Sequence, residues 1–152
     1  RGPRLQPKRA LNGALLLDDT YNASPASNLA ALDVLAELPG RRLAVLGDML
    51  ELGEYEVEGH RLVGQRAAEV LDILVTVGTR ARTIAAGARG AGLDAASIYM
   101  VEDNASAVAL LKELLREGDR LLIKGSRGMG MEAIVQALVQ EEPPVMNDAA
   151  TS

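Results

Sequence analysis

Five short apolar runs, separated by longer segments of helical periodicity, constrain the fold of this chain more than any other feature. Each run has three to five residues, which is too short for a helix and typical of a buried strand. The runs are Ala14–Leu17, Leu43–Leu46, Ile73–Val77, Ile98–Val101 and Leu121–Ile123. Strict alternation of strand and helix predicts parallel strands joined by right-handed crossovers. We therefore predict an α/β fold, a three-layer open sheet of mostly parallel strands with helices on both faces.

Capping signals indicate where the intervening helices begin and end. Ser24 and Pro25 suit the N-cap and the first helical position, and Pro39-Gly40 ends that first helix. The other four helices are predicted over Val57–Leu71, after Thr79 as far as Gly90, after Asp103 as far as Gly118, and over Met131–Val139. Thr79 and Asp103 are the predicted caps of their helices.

The length of 152 residues is that of one ordinary domain. We assign residues 14–140 to the globular domain, residues 1–13 to a linker from an upstream domain, and the aperiodic residues 141–152 to a flexible tail. The chain has no Phe, no Trp and only three Tyr, so its core is aliphatic. Such a core suits parallel strands that are covered by helices.

Charge and composition exclude several classes of function. A net charge of −5 argues against nucleic-acid binding, which needs a basic surface. The absence of cysteine excludes disulfides and thiolate metal sites. No apolar run approaches the ~18 residues that cross a bilayer, so we predict no membrane insertion. We expect a cytoplasmic protein and a monomer.

Polar residues follow several of the predicted strands, at the edge where open α/β sheets bind their ligands. Asp18 and Asp19 end the first strand, and their side chains point to opposite faces, so only one of them faces a given ligand. That carboxylate would accept hydrogen bonds from sugar hydroxyls or face a cation. The alternative is that it braces a loop.

The segment KGSRG follows the last strand. Gly125 and Gly128 let the backbone approach a ligand closely, and the next helix offers free N–H groups to an anion. Arg127 would clamp a carboxylate with two hydrogen bonds. The segment lacks the Lys-Ser/Thr of a phosphate-binding loop. A strand-to-helix turn with a solvated arginine remains the alternative interpretation.

His60 is the only histidine, and a lone histidine early in a helix is more often a structural or surface residue than a catalyst. With one histidine and no cysteine, only carboxylates remain as metal ligands, and no metal-ligand spacing is present. We therefore predict no metal site in this chain.

Three long segments together closely resemble one family. They are LLLDDTYNASPASNLAALDVL, RLAVLGDMLELGEYEVEGHRLVG and LLIKGSRGMGMEAIVQAL, in this order along the chain. They resemble the C-terminal domain of the ATP-dependent Mur ligases, which are related to folylpolyglutamate synthase. Within that family they look most like the enzymes that join D-alanyl-D-alanine to UDP-N-acetylmuramoyl-tripeptide in peptidoglycan precursor synthesis. The resemblance covers residues 12–140.

The resemblance implies a Rossmann-like third domain of a three-domain ligase. In the family, the first domain binds the uridine nucleotide, and the central domain carries the phosphate-binding loop and the magnesium ligands. ATP and a precursor carboxylate form an acyl phosphate, which the amine of the dipeptide then attacks. The third domain closes over the site and positions ligands. ATP and Mg²⁺ would therefore be bound mainly outside this chain, which alone would be inactive.

The resemblance also implies roles for individual residues. Asp19 resembles the aspartate that contacts the ATP ribose, and Tyr21 and Asn22 in the same loop would touch the nucleotide or the dipeptide. Ser126 and Arg127 lie where relatives recognise the incoming amino acid, so we expect them to bind the dipeptide carboxylate.

The second segment supplies weaker candidates for the same substrate pocket, namely Asp48, Glu51 and His60. A contact with another domain is an equally good interpretation for these three. No residue of this domain is expected to be catalytic.

Three alternatives remain open. A phosphoacceptor receiver domain has the same alternation, and Asp18, Asp19 and Lys124 fit it, but its phosphoacceptor aspartate after the third strand is missing. A stand-alone binding or regulatory module is the second. Another Mur ligase or a folylpolyglutamate synthase is the third, and the segments LGDMLELGE and KGSRGM favour the dipeptide-adding enzymes over it.

Overall fold

A computed structural model describes residue 5 and residues 7–140, and its framework is a six-stranded sheet. The strands are β1 (Pro7–Arg9), β2 (Leu15–Asp19), β3 (Arg42–Gly47), β4 (Ile73–Val77), β5 (Ile98–Val101) and β6 (Arg120–Lys124). Their order across the sheet is β1-β2-β6-β3-β4-β5, with β1 antiparallel to β2 and all other neighbours parallel. The predicted α/β fold with a mostly parallel sheet is confirmed.

The five strands predicted from apolar runs are all present, as β2 to β6. The runs Ile73–Val77 and Ile98–Val101 match β4 and β5 residue for residue. The other three differ by one or two residues at their ends, because polar residues such as Asp19, Arg42 and Lys124 continue the backbone pairing beyond the apolar run.

Strand β1 lies in the segment for which the sequence predicts a linker. Pro7, Lys8 and Arg9 pair with Leu17, Leu16 and Leu15 of β2, respectively. No apolar run marks this strand, because it is short, polar and at the edge of the sheet, where such residues are tolerated. The N–H of Gln140 donates to the carbonyl of Arg9 at 2.9 Å, so the end of the last helix returns to the same edge. The predicted tail, residues 141–152, lies outside the described residues.

Five helices connect the strands: α1 (Pro25–Ala36), α2 (Glu56–Val70), α3 (Arg82–Gly90), α4 (Asn104–Leu114) and α5 (Glu132–Leu138). Ser24 caps α1, as predicted: its Oγ accepts from the N–H of Ser27, whose own Oγ accepts from the N–H of Ser24. Asp103 caps α4, as predicted, by accepting from the N–H of Ser106 at 2.7 Å. None of the helices within residues 7–140 is long and apolar enough to cross a membrane.

The predicted cap of α3 is wrong. The helix begins at Arg82 with Ala81 in the N-cap position, not at Thr79. The N–H of Ala81 donates to the carboxylate of Asp48 at 2.7 Å, so a side chain from a neighbouring loop replaces the local cap that Thr79 would have supplied. A contact between residues so far apart in sequence leaves no local signal.

The helices cover both faces of the sheet and divide the core into two layers. Along β3, Val45 is buried in one cluster with Ile134 of α5, whereas Leu46 is buried in the other with Val63 of α2. Helices α1, α2 and α3 contribute to the second cluster, and α4 and α5 to the first. Successive strand residues point to opposite faces, so both sides of each central strand are apolar.

Helices α2 and α3 pack with almost no side chain between them. A Cβ on Gly64 of α2 would overlap the carbonyl oxygen of Ile84, and one on Gly87 of α3 would lie 2.5 Å from the carbonyl oxygen of Arg61. Glycine at both positions therefore sets the distance between the two helices.

Candidate functional site

The carboxyl ends of the five parallel strands meet at one edge of the sheet. The loops that follow β2, β3, β4 and β6 run along this edge. They contain the residues proposed from the sequence as site residues, except Asp19, which ends β2, and His60, which lies in the first turns of α2. Ligands of open α/β sheets bind at this edge, next to the point where the strand order reverses. Here the chain returns from β5 to place β6 between β2 and β3.

Asp19 and Lys124 form a buried ion pair at the centre of this edge. They are register partners on the parallel strands β2 and β6, so their side chains emerge side by side. Lys124 Nζ lies 2.6 Å from Asp19 Oδ2 and donates to the carbonyl of Asn22 at 3.0 Å. The side chain of Lys124 is 2 % exposed and that of Asp19 13 %. Lys124 therefore fixes the loop that carries Asn22.

Asp18 points to the other face of the sheet, as expected for adjacent strand residues. Its carboxylate accepts from Lys8 Nζ at 3.0 Å and from the hydroxyl of Thr20 at 2.8 Å. Burial alone raises the pKa of Asp18, but the hydrogen bonds from Lys8 and Thr20 outweigh it and hold the pKa below its ordinary value of 3.8. Asp18 thus braces β1 against β2, and only Asp19 faces the candidate site.

Tyr21 and Arg127 connect the loop after β2 with the loop after β6. The guanidinium carbon of Arg127 lies 4.7 Å from the centroid of the Tyr21 ring, which is a cation–π contact. Both side chains remain exposed, and together with Asn22 they line a small recess of ≈ 210 Å³. The side-chain oxygen of Asn22 accepts from the N–H of Ala23 at 2.8 Å, which shapes this turn.

A larger groove of ≈ 330 Å³ adjoins this recess. Tyr21, Asn22, Asp19 and Lys124 line its polar end. Its other wall comes from α1 and from Leu5, with Ser27, Ala30, Ala31 and Val34 contributed by the helix. The groove therefore combines an apolar wall with a carboxylate and an aromatic ring at one end. An amphipathic ligand such as a nucleoside matches that combination.

Ser126 is buried, and its backbone and side chain are both engaged. Its Oγ accepts from the N–H of Leu50 at 2.8 Å, and its own N–H donates to the carbonyl of Asp48 at 3.3 Å. The hydroxyl hydrogen stays available, but the position of Ser126 is set by the loop after β3. Ser126 therefore links two loops and places the adjacent Arg127.

Asp48 does not face the recess. It is 5 % exposed, and its Oδ1 accepts from the N–H of Ala81. Gly78, with φ at +107°, lies against it, and a Cβ there would come within 2.5 Å of the Asp48 carboxylate. Arg80 Nη1 lies 3.7 Å from the other carboxylate oxygen. Asp48 fixes the loop between β4 and α3. Its contact with a ligand or with another domain remains a prediction.

His60 is fully buried, so it is also not placed to contact a ligand. Its Nε2 accepts from the N–H of Met49 at 3.0 Å, and Nδ1 lies 2.6 Å from the carbonyl oxygen of Glu56. The first partner is a donor and the second an acceptor, so Nε2 accepts a hydrogen bond and Nδ1 donates one. Both nitrogens are used, and His60 holds the loop after β3.

Glu51 is exposed at the tip of that loop and has φ at +65°. A residue with a side chain rarely adopts this left-handed conformation. The conformation persists because the preceding residues, Met49 and Leu50, are held by His60 and Ser126. The contact of Glu51 with a ligand or another domain remains a prediction.

Carboxylates do not gather into a metal site in the described part of the chain. Within residue 5 and residues 7–140, no group of three or more His, Asp or Glu side chains lies close enough together to hold a metal ion.

The sequence matches a known family over most of its length. Residues 3–127 match the family model described as Mur ligase, glutamate ligase domain. The chain belongs to the Mur ligase family.

Two curated relatives of this Mur ligase domain carry the same enzyme name. The chain is 46 % identical over 133 residues to the UDP-N-acetylmuramoyl-tripeptide–D-alanyl-D-alanine ligase of Synechocystis, a match that covers 85 % of this chain and 28 % of the relative. It is 41 % identical over 138 residues to the enzyme of that name from Escherichia coli, covering 89 % of this chain and 29 % of the relative. The chain thus spans less than a third of these relatives.

A solved structure gives the same result for the fold of this Mur ligase domain. The crystal structure of a MurF ligase from Thermotoga maritima in complex with ADP superimposes with a TM-score of 0.75 at 29 % identity. The superposition covers 90 % of this chain and 30 % of that chain.

The predicted site residues of this Mur ligase domain divide into two groups. Asp19, Tyr21, Asn22 and Arg127 lie together around the recess and groove, whereas the buried Ser126, Asp48 and His60 hold the surrounding loops and Glu51 lies apart at a loop tip. Lys124, which the sequence links only to the receiver-domain alternative, contacts two members of the first group. The only signal in the sequence is that Lys124 ends an apolar strand. The register of β2 and β6 then shows that it lies directly opposite Asp19.

Proposed function

We propose that this chain is the C-terminal domain of an ATP-dependent ligase that joins D-alanyl-D-alanine to UDP-N-acetylmuramoyl-tripeptide in peptidoglycan precursor synthesis. The contact between Tyr21 and Arg127 carries the proposal: it brings together the loop that resembles a nucleotide-binding segment and the loop that resembles an amino-acid-binding segment. Relatives at 46 % and 41 % identity that bear this enzyme name support it. We expect the reaction to occur in the cytoplasm, with the ligase as a monomer.

In this proposal the groove beside α1 receives the ribose of ATP. Lys124 contacts only Oδ2 of Asp19, which leaves Oδ1 to accept a hydrogen bond from a ribose hydroxyl. Tyr21 offers an aromatic face at the same end of the groove, and the alanines of α1 offer an apolar wall. The ADP in the Thermotoga maritima structure is consistent with nucleotide binding in this family.

Arg127 would bind the carboxylate of the incoming dipeptide. Its guanidinium is exposed at the recess and provides two parallel N–H donors, the geometry that a carboxylate accepts best. The Tyr21 ring orients the guanidinium from one side without using its in-plane donors. Holding the dipeptide in this way would present its amine to the reacting carboxyl group of the tripeptide, a contribution of orientation and not of covalent chemistry.

The Mg²⁺ of the reaction would be bound outside this chain. The described residues bring no set of metal ligands together, so the candidate site fits a ribose and a carboxylate better than it fits a metal ion. The acid–base and phosphate chemistry would likewise reside in the parts of the ligase that correspond to the rest of the relatives' length. The chain alone is therefore expected to be inactive.

Complementation tests this proposal directly. Phosphate release is measured with ATP, Mg²⁺, UDP-N-acetylmuramoyl-tripeptide and D-alanyl-D-alanine, first for this chain alone and then after mixing with a protein carrying the two other Mur ligase domains. Activity only in the mixture supports the proposal. Activity of the folded chain alone contradicts it. Absence of activity in the mixture and in a covalent fusion of all three domains would favour a stand-alone binding module.

The role of Arg127 makes a separate prediction in the three-domain ligase. Arg127→Ala should raise the KM for D-alanyl-D-alanine by about tenfold or more, because a charge-assisted hydrogen bond contributes ~1.5–3 kcal/mol, and leave the KM for ATP nearly unchanged. Arg89→Ala is the matched control, since Arg89 lies at the far end of α3. Equal increases in both KM values would indicate that Arg127 acts in domain closure.

A further inference from the structure

Three hydrogen bonds connect the buried His60 to the loop that carries Arg127, and a fourth fixes the His60 ring. His60 Nδ1–H donates to the carbonyl of Glu56, one turn earlier in α2, and this bond fixes the ring. Nε2 then accepts from the N–H of Met49 at 3.0 Å. Both His60 and Met49 are completely buried, so water cannot replace either partner.

The next bonds extend this connection from the loop after β3 to the loop after β6. The N–H of Leu50, adjacent to Met49, donates to Ser126 Oγ at 2.8 Å. In return, the N–H of Ser126 donates to the carbonyl of Asp48 at 3.3 Å. The two loops are therefore tied by a reciprocal pair of bonds, and the residue that follows Ser126 is Arg127.

These hydrogen bonds hold the backbone from which the side chain of Arg127 extends. The segment from Arg127 to Met129 is a single 3-10 turn that begins directly after Ser126. The exposed Arg127 reaches Tyr21 from this turn. A displacement of the turn would move the guanidinium relative to Tyr21 and to the recess, whereas Asp19 and Lys124 are held by the strand pairing of β2 and β6.

We propose that His60 is a positioning residue for Arg127, acting through Met49, Leu50 and Ser126. The inference rests on the proposed function for its kinetic consequence, because the ligand that Arg127 positions is the dipeptide. Loss of the Nε2 acceptor leaves a buried N–H at Met49 without a partner and releases the loop that holds Ser126. The nucleotide contacts of Asp19 do not depend on this connection.

Two substitutions of His60 separate its two hydrogen bonds. An asparagine amide occupies the place of Nδ1 and keeps the bond to Glu56, but it does not reach Met49. A glutamine amide reaches the place of Nε2 and offers an oxygen to the N–H of Met49. His60→Asn therefore removes the proposed support, and His60→Gln retains it, although both remove the ring.

The first experiment uses this chain alone and does not depend on any enzymatic activity. With one His, three Tyr, no Phe and no Trp, the aromatic NMR spectrum resolves the Tyr21 ring directly. His60→Asn should shift the Tyr21 ring signals and speed hydrogen exchange of the Leu50 amide by about tenfold or more, whereas His60→Gln should stay near the wild type. If His60→Asn does not fold, Ser126→Ala removes the next bond in the series and should shift Tyr21 in the same way.

The second experiment measures kinetics in the three-domain ligase. His60→Asn should raise the KM for D-alanyl-D-alanine by about tenfold, with a change of less than about twofold in the KM for ATP, and His60→Gln should restore most of the loss. Unchanged Tyr21 signals in folded His60→Asn, or equal effects of the two substitutions, would overturn the positioning role. A wild-type three-domain protein without ligase activity would instead refute the proposed function, and the NMR result would still decide the inference.

Discussion

Removing either partner of the ion pair between Asp19 and Lys124 should destabilise the domain, and by unequal amounts. Asp19→Ala leaves an ammonium that is 2 % exposed with the carbonyl of Asn22 as its remaining partner. Loss of one partner of a buried pair costs about 3–5 kcal/mol, and the partial exposure of Asp19 places this change near 3. Lys124→Met leaves a carboxylate that is 13 % exposed and better hydrated, so about 2 kcal/mol is expected.

Urea unfolding of the isolated chain, followed by circular dichroism, measures these differences. With a slope of about 2 kcal/mol per molar urea, Asp19→Ala should lower the unfolding midpoint by about 1.5 M and Lys124→Met by about 1 M. The double variant should have about the same unfolding midpoint as Lys124→Met. Once Lys124 is gone, the Asp19 carboxylate has no partner, so replacing it as well causes no further loss of stability. This corresponds to a coupling of about 3 kcal/mol between the two residues.

The ion pair of Lys8 and Asp18, which is more exposed than that of Asp19 and Lys124, provides the control. Lys8 is 41 % exposed, so Lys8→Met should cost less than about 1 kcal/mol. Additive effects of Asp19→Ala and Lys124→Met would show that the two residues do not interact in solution. A larger cost for Lys124→Met than for Asp19→Ala would refute the reasoning from burial.

Two further predictions concern helix packing and pH. Gly64→Ala should destabilise the chain by about 2 kcal/mol, because the added Cβ meets the Ile84 carbonyl. Gly90 has open space around it, so the control Gly90→Ala should be neutral or stabilising. Equal urea midpoints for the two variants would refute this reasoning. The pKa of Asp18 is lower in the folded chain than its ordinary 3.8, so its stabilising effect is present above that value and is lost as the pH falls through the folded pKa. The difference in urea midpoint between wild type and Asp18→Asn should therefore shrink on acidification below pH 4. A constant difference from pH 6 to pH 2 would contradict a stabilising role for the ion pair of Lys8 and Asp18.

The elements of the fold were predictable because their signals are local. Apolar runs located five strands, two of them to the residue, and Ser24 and Asp103 cap their helices as their side chains predict. The prediction failed where the deciding contact is distant in sequence. Strand β1 has no apolar run of its own, and α3 begins late because Asp48 accepts from the N–H of Ala81.

The candidate site was predictable only in part. The chemistry of Asp19 and Arg127 follows from residue type and position after a strand, whereas that of Tyr21 and Asn22 is implied by the family resemblance. The structure brings these four residues together. Residue type does not reveal whether a polar side chain faces a ligand or a neighbouring backbone group.

By itself, the sequence determined five of the six strands, the presence of the five helices, the aliphatic core and the family, since periodicity, capping and signature segments are properties of neighbouring residues. Only the tertiary structure decided the strand order, and with β6 between β2 and β3 it placed Lys124 beside Asp19. It also decided that His60 is fully buried and accepts a hydrogen bond from the loop after β3. Partners such as these depend on strand register and on the distance between elements, and no stretch of neighbouring residues encodes either one.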